Sequence, residues 1–455
     1  MKNLTPKNIA ASCGGQCLHC SGILNTEVTG VSADSRTVEK DFLYIPMKGE
    51  RADGHDFIPQ AMEKGALVTL TERKEAAGDA PCILVDSTAD AIQRIAGFYR
   101  KELGIPVVGI TGSVGKTSTK EMIASVLSQK FRTLKTLGNF NNNLGLPLTI
   151  FRIREEDEIA VLEMGISHFG EMTDLARTAA PDTMVITNIG TCHLEFLHDR
   201  DGVFRAKTEC FDYVSPSGTV ILNGDDDKLC EVEEIHGRKP VFYGMNPSFR
   251  VYAEDVKPLG LSGISCRIVI DDRDFPVTIP IPGEHMVMNA LAGAAVGSVY
   301  GLTDEEIRAG IESLTPLSGR FHIIENENYT VIDDCYNANP MSMKASLSVL
   351  KDAEGRTAAI LGDMGELGGE EAELHREVGA YAGGLGIDEF ITIGPLSEHL
   401  ALGIRSVNPS ADISSYSSVG DFLPEMKEKL KKGDTILVKA SHFMHFEEIV
   451  KQLSR

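Results

Sequence analysis

The chain contains no tryptophan among its 455 residues. This absence argues against a carbohydrate-binding module, because such modules stack aromatic faces on sugars. No stretch approaches the roughly 18 uninterrupted apolar residues of a membrane span. No apolar segment follows Met1-Lys-Asn-Leu-Thr-Pro6 either, so we expect no secretory signal and a cytoplasmic protein. A guanine-reading Asn-Lys-x-Asp motif is also missing, which argues against a regulatory switch that hydrolyses GTP.

Basic residues are scarce relative to acidic ones. The 44 lysines and arginines face 66 aspartates and glutamates, for a formal net charge of −22. A surface of this sign repels nucleic acid and anionic membranes at long range, so we expect neither as a partner. Any anionic ligand must therefore be held by local cations and by the N-terminal ends of helices.

The nine cysteines are scattered, and their odd number argues against a disulfide framework. One cluster, Cys13-Gly-Gly-Gln-Cys17-Leu-His-Cys20, has the spacing of half a zinc site, but no second Cys/His pair lies within the usual sequence distance. Thiols of a loop near solvent are the alternative, which we favour.

The most informative motif is Val107-Val-Gly-Ile-Thr-Gly-Ser-Val-Gly-Lys-Thr-Ser-Thr119. An apolar strand leads into a glycine-containing loop whose backbone N–H groups can converge on phosphate oxygens. The helix that follows directs its positive N-terminal end at the same anion. We therefore predict a nucleoside triphosphate site, with Lys116 on the phosphates and the Thr117 hydroxyl on Mg2+. The predicted nucleotide-binding residues of this loop are Gly112, Ser113, Gly115, Lys116, Thr117 and Ser118.

The loop is a shortened variant of the usual phosphate-binding motif. Ile110 stands where the longer motif has its first glycine. A structural turn that merely reads Gly-Lys-Thr is the alternative. The apolar strand before the loop and the amphipathic helix after it favour the phosphate site.

The length of the chain suggests about three domains. Repeated strand-loop-helix patterns predict an α/β fold in which residues 1–103 form a small N-terminal domain. Residues 104–315 should form a central domain with a mostly parallel sheet, and residues 316–455 a doubly wound, Rossmann-like domain. Alternating strands between about 250 and 282 predict an antiparallel insertion into the central domain. The segment Leu314–Gly319 contains Pro and Gly, which break the preceding helix, so we predict a hinge there.

Polar residues at strand ends point to a metal site near the phosphate loop. Glu163 ends one apolar run, and His193 follows another by three residues. A carboxylate and an imidazole there would suit a second Mg2+. The alternatives are a helix-capping carboxylate and a structural histidine. The uncharged segment Asn139-Phe-Asn-Asn-Asn143 suits sugar or diphosphate recognition through Asn139, Asn142 and Asn143, although an Asn-rich turn explains it equally well.

Taken together, these motifs resemble those of the Mur ligase family, ATP-dependent amide-forming enzymes of peptidoglycan synthesis, over nearly the whole chain. Thr111–Thr117 resembles the family's ATP loop. Glu163-Met-Gly165 and Thr187–Glu195 resemble its two metal-binding segments, and Arg205–Glu209 resembles the segment with a carbamoylated lysine. The resemblance implies two Mg2+ ions held by Thr117, Glu163, His193 and a carbamate on Lys207. An unmodified Lys207 paired with Glu209 is the alternative.

The resemblance also implies further ligand-binding residues. It places Asn289 against the adenine and assigns Arg320 and Asp334 to the nucleotide. It assigns Ser35, Arg36 and Lys48 to the UDP-sugar. In the last domain, Asp333–Pro340 and Leu361–Gly368 with His375 resemble the member that adds a dipeptide, which implies Asn337, Asn339 and Asp363 as substrate residues. The implied catalytic residues are Lys116, Lys207, His193 and Glu163.

The implied reaction joins D-alanyl-D-alanine to a UDP-N-acetylmuramoyl tripeptide through an acyl phosphate. A ligase that adds the third residue and a folylpolyglutamate-type ligase are the alternatives. We expect a monomer. Three positions depart from the family pattern: Phe321 replaces the usual methionine, Cys335 a small residue such as serine, and His442 an arginine.

Overall fold

The computed structural model describes residues 1–49 and 52–454. Three sheets of five, nine and six strands are formed, each within one of the three predicted domains. Helices cover both the central and the C-terminal sheet, so the predicted α/β class is confirmed. The domain boundaries themselves stay predictions.

The N-terminal domain is a small α/β unit. Its sheet has the order β1-β5-β4-β3-β2, in which only the β1–β5 pair is antiparallel. Its elements are α1 (Pro6–Cys13), β1 (Gln16–Leu18), β2 (Val31–Ser32), β3 (Leu43–Tyr44), α2 (Ile58–Glu63), β4 (Val68–Thr71), α3 (Lys74–Ala77), β5 (Cys82–Leu84) and α4 (Thr88–Leu103).

The cysteine cluster of this domain differs from our prediction. Cys13 is the last residue of α1, and both Cys13 and Cys20 are buried. The prediction of loop thiols near solvent is therefore wrong for these two residues, because α1 and β1 pack them into the domain core.

The central domain is built on a nine-stranded sheet of order β14-β13-β12-β11-β10-β9-β6-β8-β7. Its elements are β6 (Val107–Thr111), α5 (Lys116–Leu127), β7 (Thr133–Lys135), α6 (Gly145–Ile150), β8 (Ile159–Glu163), α7 (Glu171–Ala179), β9 (Thr183–Ile186), α8 (Leu194–Leu197), α9 (Arg200–Thr208), β10 (Thr219–Asn223), β11 (Val241–Gly244), β12 (Val251–Pro258), β13 (Ile264–Ile270), β14 (Arg273–Ile279), α10 (His285–Val299) and α11 (Asp304–Glu312).

The antiparallel strands do not form a separate insertion. β12 pairs in parallel with β11, and β13 and β14 then continue the same sheet in antiparallel fashion. Buried residues alternate with exposed ones along β14, which is the pattern of a strand with one covered face. The predicted insertion is thus an extension of one edge of the central sheet.

The C-terminal domain is doubly wound, as predicted. Its six strands have the order β15-β16-β20-β17-β18-β19, with only β15 antiparallel to its neighbour. The edge strands β15 and β19 were absent from the sequence prediction. The elements are β15 (His322–Glu325), β16 (Tyr329–Asp333), α12 (Pro340–Lys351), β17 (Thr357–Gly362), α13 (Glu371–Gly383), β18 (Glu389–Ile393), α14 (Ser397–Val407), β19 (Ile413–Tyr416), α15 (Val419–Phe422), α16 (Met426–Lys429), β20 (Asp434–Lys439) and α17 (Glu447–Leu453).

The segment between the central and C-terminal domains lacks helix and strand, as expected of a hinge. Gly319 adopts a φ of 73°, a conformation that favours glycine. Its N–H donates a hydrogen bond of 2.7 Å to the Asp333 carboxylate, which also accepts from the Ser318 hydroxyl. The chain therefore enters the last domain along a fixed path.

Within the part of the chain that the structure describes, no helix combines the length and apolar character needed to cross a membrane.

Helix α4 joins the N-terminal and central domains. Ser87 is its N-cap and Gly104 its C-cap. The buried Arg100 on this helix donates to the backbone oxygens of Ala179 and Ala180 and forms a 2.6 Å ion pair with Asp182. The helix thus belongs structurally to both domains.

Replacing Arg100 tests whether this side chain stabilises the connection between the N-terminal and central domains. Arg100→Met keeps much of the side-chain volume but removes the donor of two carbonyl oxygens and the cation beside Asp182, which then accepts only from Val107 N–H. We expect a loss of about 2 kcal/mol in the free energy of unfolding, measured by urea denaturation. Arg94→Met on the same helix is the matched control, because Arg94 is exposed. Equal stability of the two variants would contradict this role for Arg100.

Candidate active site

A cleft of about 1110 Å³ opens where strands of the central sheet end and the C-terminal domain faces them. It collects most of the nucleotide and metal residues predicted from sequence, together with several predicted substrate residues. Those that line it are Ser113, Gly115, Lys116, Thr117, Ser118, Asn139, Asn142, Glu163, His193, Asn289, Arg320, Asp334, Asn337 and Asn339.

The phosphate loop has the geometry that the motif predicts. Gly115 has a φ of 81° and precedes the first residue of α5. At Gly112, an added Cβ would lie 1.9 Å from Oγ1 of Thr187, so no larger residue fits without displacing its neighbour. The Lys116 ammonium donates to the carbonyl oxygens of Gly112 and Ser113 at 2.8 and 3.3 Å. These two hydrogen bonds therefore hold the Lys116 side chain against the phosphate loop.

The end of β9 holds this loop in place. The Asn188 side chain accepts a hydrogen bond from Val114 N–H and donates one to Val114 O, both at 3.0 Å. The Thr187 hydroxyl donates to the same carbonyl oxygen, and Gly190 N–H donates to the Ser113 hydroxyl. Sequence reasoning missed Asn188, although it lies within a segment that resembles a family motif. The segment Thr187–Glu195 therefore holds the phosphate loop in place and also contains His193.

Glu163 is the last residue of β8 and is buried. Its Oε1 accepts hydrogen bonds from the Thr117 hydroxyl at 3.2 Å and from the Asn141 amide at 2.8 Å. Its Oε2 has no hydrogen-bond partner among the described residues, although it lies 3.8 Å from the Lys120 ammonium. Glu163 does not cap a helix. A buried carboxylate oxygen without a donor, beside a threonine hydroxyl, is suited to a cation.

Lys120 was not predicted as a site residue. It is buried on α5 and pairs with Glu121 at 3.0 Å, while Glu121 also pairs with Lys135. The signal that could have revealed it is its spacing, because Lys120 follows Lys116 by one helical turn and so lies on the same face. Asn141 was likewise missed, although it belongs to the amide-rich segment.

His193 precedes α8 in a left-handed conformation, with a φ of 54°. Its Nδ1 lies 2.8 Å from Oε2 of Glu366, a 60% exposed side chain of the C-terminal domain, but this nitrogen has no hydrogen-bond partner among the described residues, so the approach is an ion-pair distance only. This contact lowers the pKa of the Glu366 carboxyl below its ordinary value. The predicted metal-site histidine thus meets a carboxylate from another domain.

Lys207 on α9 is completely buried, and its ammonium nitrogen has no hydrogen-bond partner among the described residues. Burial, with a smaller contribution from the nearby charge of Lys116, lowers the pKa of this amine to about 8. The alternative pairing with Glu209 is not formed, because the Glu209 carboxylate accepts from the backbone of Gly170 and from Thr173. Lys207 is not among the residues that line the cleft.

Arg320 reaches across the domain boundary. One of its guanidinium nitrogens lies 3.5 Å from the Thr117 hydroxyl, and the guanidinium carbon lies 4.1 Å from the centre of the Tyr336 ring. His442, which replaces the family's usual arginine, stacks on the same tyrosine at 5.3 Å. The C-terminal domain therefore brings a cation to the phosphate loop.

Asp334 is held by the buried Lys439. The two side chains form an ion pair at 2.5 Å, and Asp334 also accepts from the Ser346 hydroxyl at 2.6 Å and from Phe321 N–H at 3.2 Å. These bonds fix the entry of the Arg320 segment into its domain. Sequence reasoning assigned Asp334 and missed Lys439.

Some of the predicted asparagine side chains of the central domain stabilise the fold, and others are not used in this way. Asn289 is buried, and its Oδ1 accepts from the Thr119 hydroxyl at 2.8 Å, which joins α10 to α5. Asn142 accepts from Gly145 N–H at the start of α6, whereas Asn139 is exposed. Asn143 Oδ1 is buried without a hydrogen-bond partner in the described chain. The interpretation as an Asn-rich turn therefore holds for Asn142. The side-chain amides of Asn139 and Asn143 take no part in that turn.

The predicted dipeptide residues are not equivalent. Asn337 is exposed in the cleft. Asn339 is the N-cap of α12 and accepts from Ser342 N–H at 2.9 Å. Asp363 is a correction: it is buried outside the cleft lining, and both the N–H and the hydroxyl of Ser397 donate to it at 2.7 Å. Its position after β17 is as predicted, but its carboxylate points to α14 rather than to a ligand.

The three predicted UDP-sugar residues lie in the N-terminal domain, apart from the lining of this cleft. Ser35 is buried and donates to Gln60 at 2.8 Å. Arg36 is 82% exposed and forms an ion pair with Asp34, whose pKa falls to about 2 through hydrogen bonds from Arg36. The backbone of Lys48 forms an isolated antiparallel β-bridge with the backbone of Asp53. Their role in binding a sugar nucleotide stays a prediction.

A shortened phosphate loop facing a C-terminal arginine defines a P-loop enzyme whose site is completed by a second domain. Family models agree with this reading. They match the Mur ligase family catalytic domain at residues 27–109, the Mur ligase middle domain at 110–297 and the Mur ligase glutamate ligase domain at 319–442. The chain belongs to the Mur ligase family.

Individual relatives match over the full length. The chain is 39% identical over 454 residues to the UDP-N-acetylmuramoyl-tripeptide–D-alanyl-D-alanine ligase of Bacillus subtilis, covering 99% of this chain and 98% of that protein. A crystal structure of MurF from Acinetobacter baumannii is similar with a TM-score of 0.91 and 30% identity, over 99% and 98% of the two chains. MurF from Thermotoga maritima in complex with ADP gives a TM-score of 0.83 at 29% identity, over 93% and 97%.

The capping role of Asn339 leads to a prediction about stability. Asn339→Ala removes the acceptor for Ser342 N–H, so we expect a loss of about 1 kcal/mol in the free energy of unfolding. Asn339→Asp retains a capping oxygen and should unfold near the wild-type denaturant midpoint. Urea titrations followed by circular dichroism measure both variants. An alanine variant as stable as the aspartate variant would show that the cap contributes little.

Proposed function

We propose that this protein joins D-alanyl-D-alanine to a UDP-N-acetylmuramoyl tripeptide at the expense of ATP. The observation that carries the proposal is the meeting of the phosphate loop, the buried Glu163 and the C-terminal Arg320 at one cleft. This arrangement occurs in a chain that matches a ligase of that name over its whole length.

The reaction requires two anions to approach each other. A carboxylate oxygen of the tripeptide attacks the γ-phosphorus of ATP, the bond to the bridging oxygen breaks, and ADP leaves. The amine of D-alanyl-D-alanine then attacks the acyl phosphate, loses a proton and displaces phosphate, which leaves an amide. Lys116 and Arg320 lie where their charges can reduce the repulsion in the first step.

In this proposal the site holds two Mg2+ ions. Thr117 and Glu163 would hold one, because Glu163 Oε2 is buried and lacks a hydrogen-bond donor. His193 and a carbamate on Lys207 would position the second. Bound Mg2+ neutralises charge on phosphate oxygens.

Lys207 has the properties that carbamate formation requires. Carbon dioxide reacts with a neutral amine, and burial makes the neutral form more accessible by lowering the pKa to about 8. Its ammonium nitrogen has no hydrogen-bond partner among the described residues, so addition of CO2 breaks no such contact. A carbamate would also replace a positive charge near Lys116 with a negative one.

Substrate binding is divided among the domains in this proposal. Ser35, Arg36 and Lys48 bind the UDP-sugar, and Asn139 faces the muramoyl tripeptide, whereas Asn143 is left out because it lies outside the cleft lining. Asn337 is the candidate for the dipeptide, while Asp363 is left out because it lies outside the cleft lining and its Oδ1 accepts both hydrogen bonds from Ser397. We also propose that the enzyme is a cytoplasmic monomer.

Removing the loop cation tests the proposed chemistry. Lys116→Ala should lower the rate of amide formation by about 100-fold or more, because the charge beside the transferred phosphoryl group is lost. The assay follows phosphate release and product mass with ATP, UDP-N-acetylmuramoyl tripeptide and D-alanyl-D-alanine.

The exposed Lys101→Ala variant is the control for this experiment, and thermal melting checks the fold of both proteins. Near-wild-type turnover of Lys116→Ala would refute the site assignment. Wild-type activity only with a UDP-muramoyl dipeptide and a diamino acid, or only with a folate and glutamate, would support the alternative ligases.

The proposed carbamate leads to a chemical rescue experiment. Lys207→Ala should be nearly inactive, and short carboxylic acids such as acetate should restore part of the rate by supplying an anion in the vacated volume. Removal of bicarbonate should slow the wild-type enzyme in a reversible manner. Full activity of the alanine variant without any additive would rule out this role.

A further inference from the structure

The turn that carries Arg320 into the C-terminal domain is held on both sides of this residue. The carbonyl oxygen of Gly319 accepts a hydrogen bond from Tyr336 N–H at 3.1 Å. On the other side, Phe321 N–H donates to Oδ1 of Asp334 at 3.2 Å. Arg320 thus lies between two hydrogen-bonded neighbours, and the C-terminal domain fixes the direction of its backbone.

Phe321 has a left-handed backbone conformation, with a φ of 58°. Bulky residues rarely adopt this conformation, because it brings Cβ too close to the following carbonyl oxygen. Such strain persists only where the surrounding structure enforces it, and it is concentrated at functional sites. A glycine would adopt this conformation without strain, so contacts of the Phe321 side chain must hold the phenylalanine in it.

These contacts lie at the boundary between two domains. The Phe321 side chain is buried in an apolar core cluster that contains Ile281 and Met286 of the central domain as well as Met343 of the C-terminal domain. The centre of its ring lies 6.0 Å from the centre of the His285 ring, at the start of α10. The ring therefore attaches the turn to the central domain.

Two consecutive side chains of the turn reach the central domain. A guanidinium nitrogen of Arg320 lies 3.5 Å from the Thr117 hydroxyl on α5, and the Phe321 ring approaches His285 on α10. In an extended strand, neighbouring side chains point to opposite faces. The left-handed backbone at Phe321 interrupts this alternation, so both side chains can face the same domain. The strain is thus linked to the position of the Arg320 guanidinium.

We propose that Phe321 is a positioning residue for Arg320: its buried ring holds the strained turn in place and so keeps the guanidinium at the phosphate loop. This rests on the function proposed above. Arg320 has a second support in the Tyr336 ring, whose centre lies 4.1 Å from the guanidinium carbon. The Tyr336 ring restricts the end of the arginine side chain, whereas the Phe321 ring fixes the backbone that carries it.

Nucleotide binding tests this role without relying on amide formation. Isothermal titration calorimetry measures the affinity of the full-length protein for AMP-PNP in the presence of Mg2+. Arg320→Ala should weaken binding roughly 10-fold, the lower end of the range for a hydrogen bond between charged groups. Phe321→Ala should weaken binding by a similar factor, because the turn relaxes and the guanidinium leaves the phosphates. Phe321→Met should bind AMP-PNP nearly as well as the wild type, because methionine refills the apolar core.

The double variant Arg320→Ala/Phe321→Ala decides whether Phe321 acts through the arginine. If it does, the double variant binds AMP-PNP no more weakly than Arg320→Ala alone, because the two effects are not additive. Phe422→Ala is the control for the loss of a buried ring, since Phe422 lies in the core of the C-terminal domain and outside the cleft lining. It should lower the melting temperature without changing the affinity for AMP-PNP. Phe422→Leu replaces it if the alanine variant does not fold.

Phe321→Gly separates the ring from the backbone conformation. Glycine suits the left-handed φ, so this variant should melt at a higher temperature than Phe321→Ala. It lacks the ring, however, and should bind AMP-PNP as weakly as the alanine variant does. Because it relieves the strain, Phe321→Gly also carries the comparison with Arg320→Ala if Phe321→Ala does not fold.

Turnover gives a second readout. Phe321→Ala should lower kcat for amide formation roughly 10–100-fold, because a small displacement of a charge beside the transferred phosphoryl group slows the reaction strongly. KM for D-alanyl-D-alanine should be unchanged.

Three outcomes overturn the proposal. Wild-type affinity of Phe321→Ala or Phe321→Gly for AMP-PNP would show that the ring positions nothing. A further loss of affinity in the double variant would place the ring against the nucleotide itself. A raised KM for D-alanyl-D-alanine at constant kcat would assign Phe321 to the dipeptide site. If the wild-type enzyme forms no amide, the proposed function fails, yet calorimetry still decides whether Phe321 positions Arg320.

Discussion

The site depends on the parallel pairing of β6 with β8 on one side and β9 on the other. Because neighbouring parallel strands end at the same edge, this pairing brings the phosphate loop, Glu163 and the Thr187–Gly190 segment together. Ile110 pairs with Glu163 and Val185, so the registers are set one residue before the loop begins. A slip of either neighbour would separate the carboxylate from Thr117 or Asn188 from Val114.

The protein concentrates positive charge locally against a negative background. Lys120 and Lys439 are buried near the cleft, each beside a carboxylate, while Lys207 is buried without such a partner. A buried charge needs a partner, and a titratable group that lacks one moves its pKa towards the neutral form. Lys120 and Lys439 thus serve as fixed cations, and Lys207 differs from them because its amine is the one poised to lose its proton.

The features that the sequence predicts correctly are those that depend on residues close together in the chain. Buried apolar runs predicted the strands β6, β8 and β9, and glycine spacing predicted the phosphate loop with the helix behind it. Edge strands such as β15 and β19 have only partly covered faces, so their apolar signal is weak. The antiparallel hairpins were found as strands, but pattern alone does not tell which sheet a strand joins.

Long-range pairings account for the remaining gaps in the prediction of the site. Asn188 is recognisable only once β9 lies beside β6, and Glu366 only once two domains meet. For Asp363, the strand end was located correctly, yet the direction of its side chain follows from Ser397 on the next helix. Residue type and strand position therefore reduce the number of candidate site residues, and tertiary packing determines which of these residues face the ligand.

Helix α4 has a consequence for how the molecule responds to heat. Residues from α1 and β5 share one apolar core with α4 and with residues of the central sheet such as Val107, Leu162 and Leu222. Unfolding one of these two domains would expose apolar core residues of the other, so we expect the N-terminal and central sheets to unfold as a single cooperative unit. Although the chain has three separate sheets, we expect the first two to melt together in one calorimetric transition.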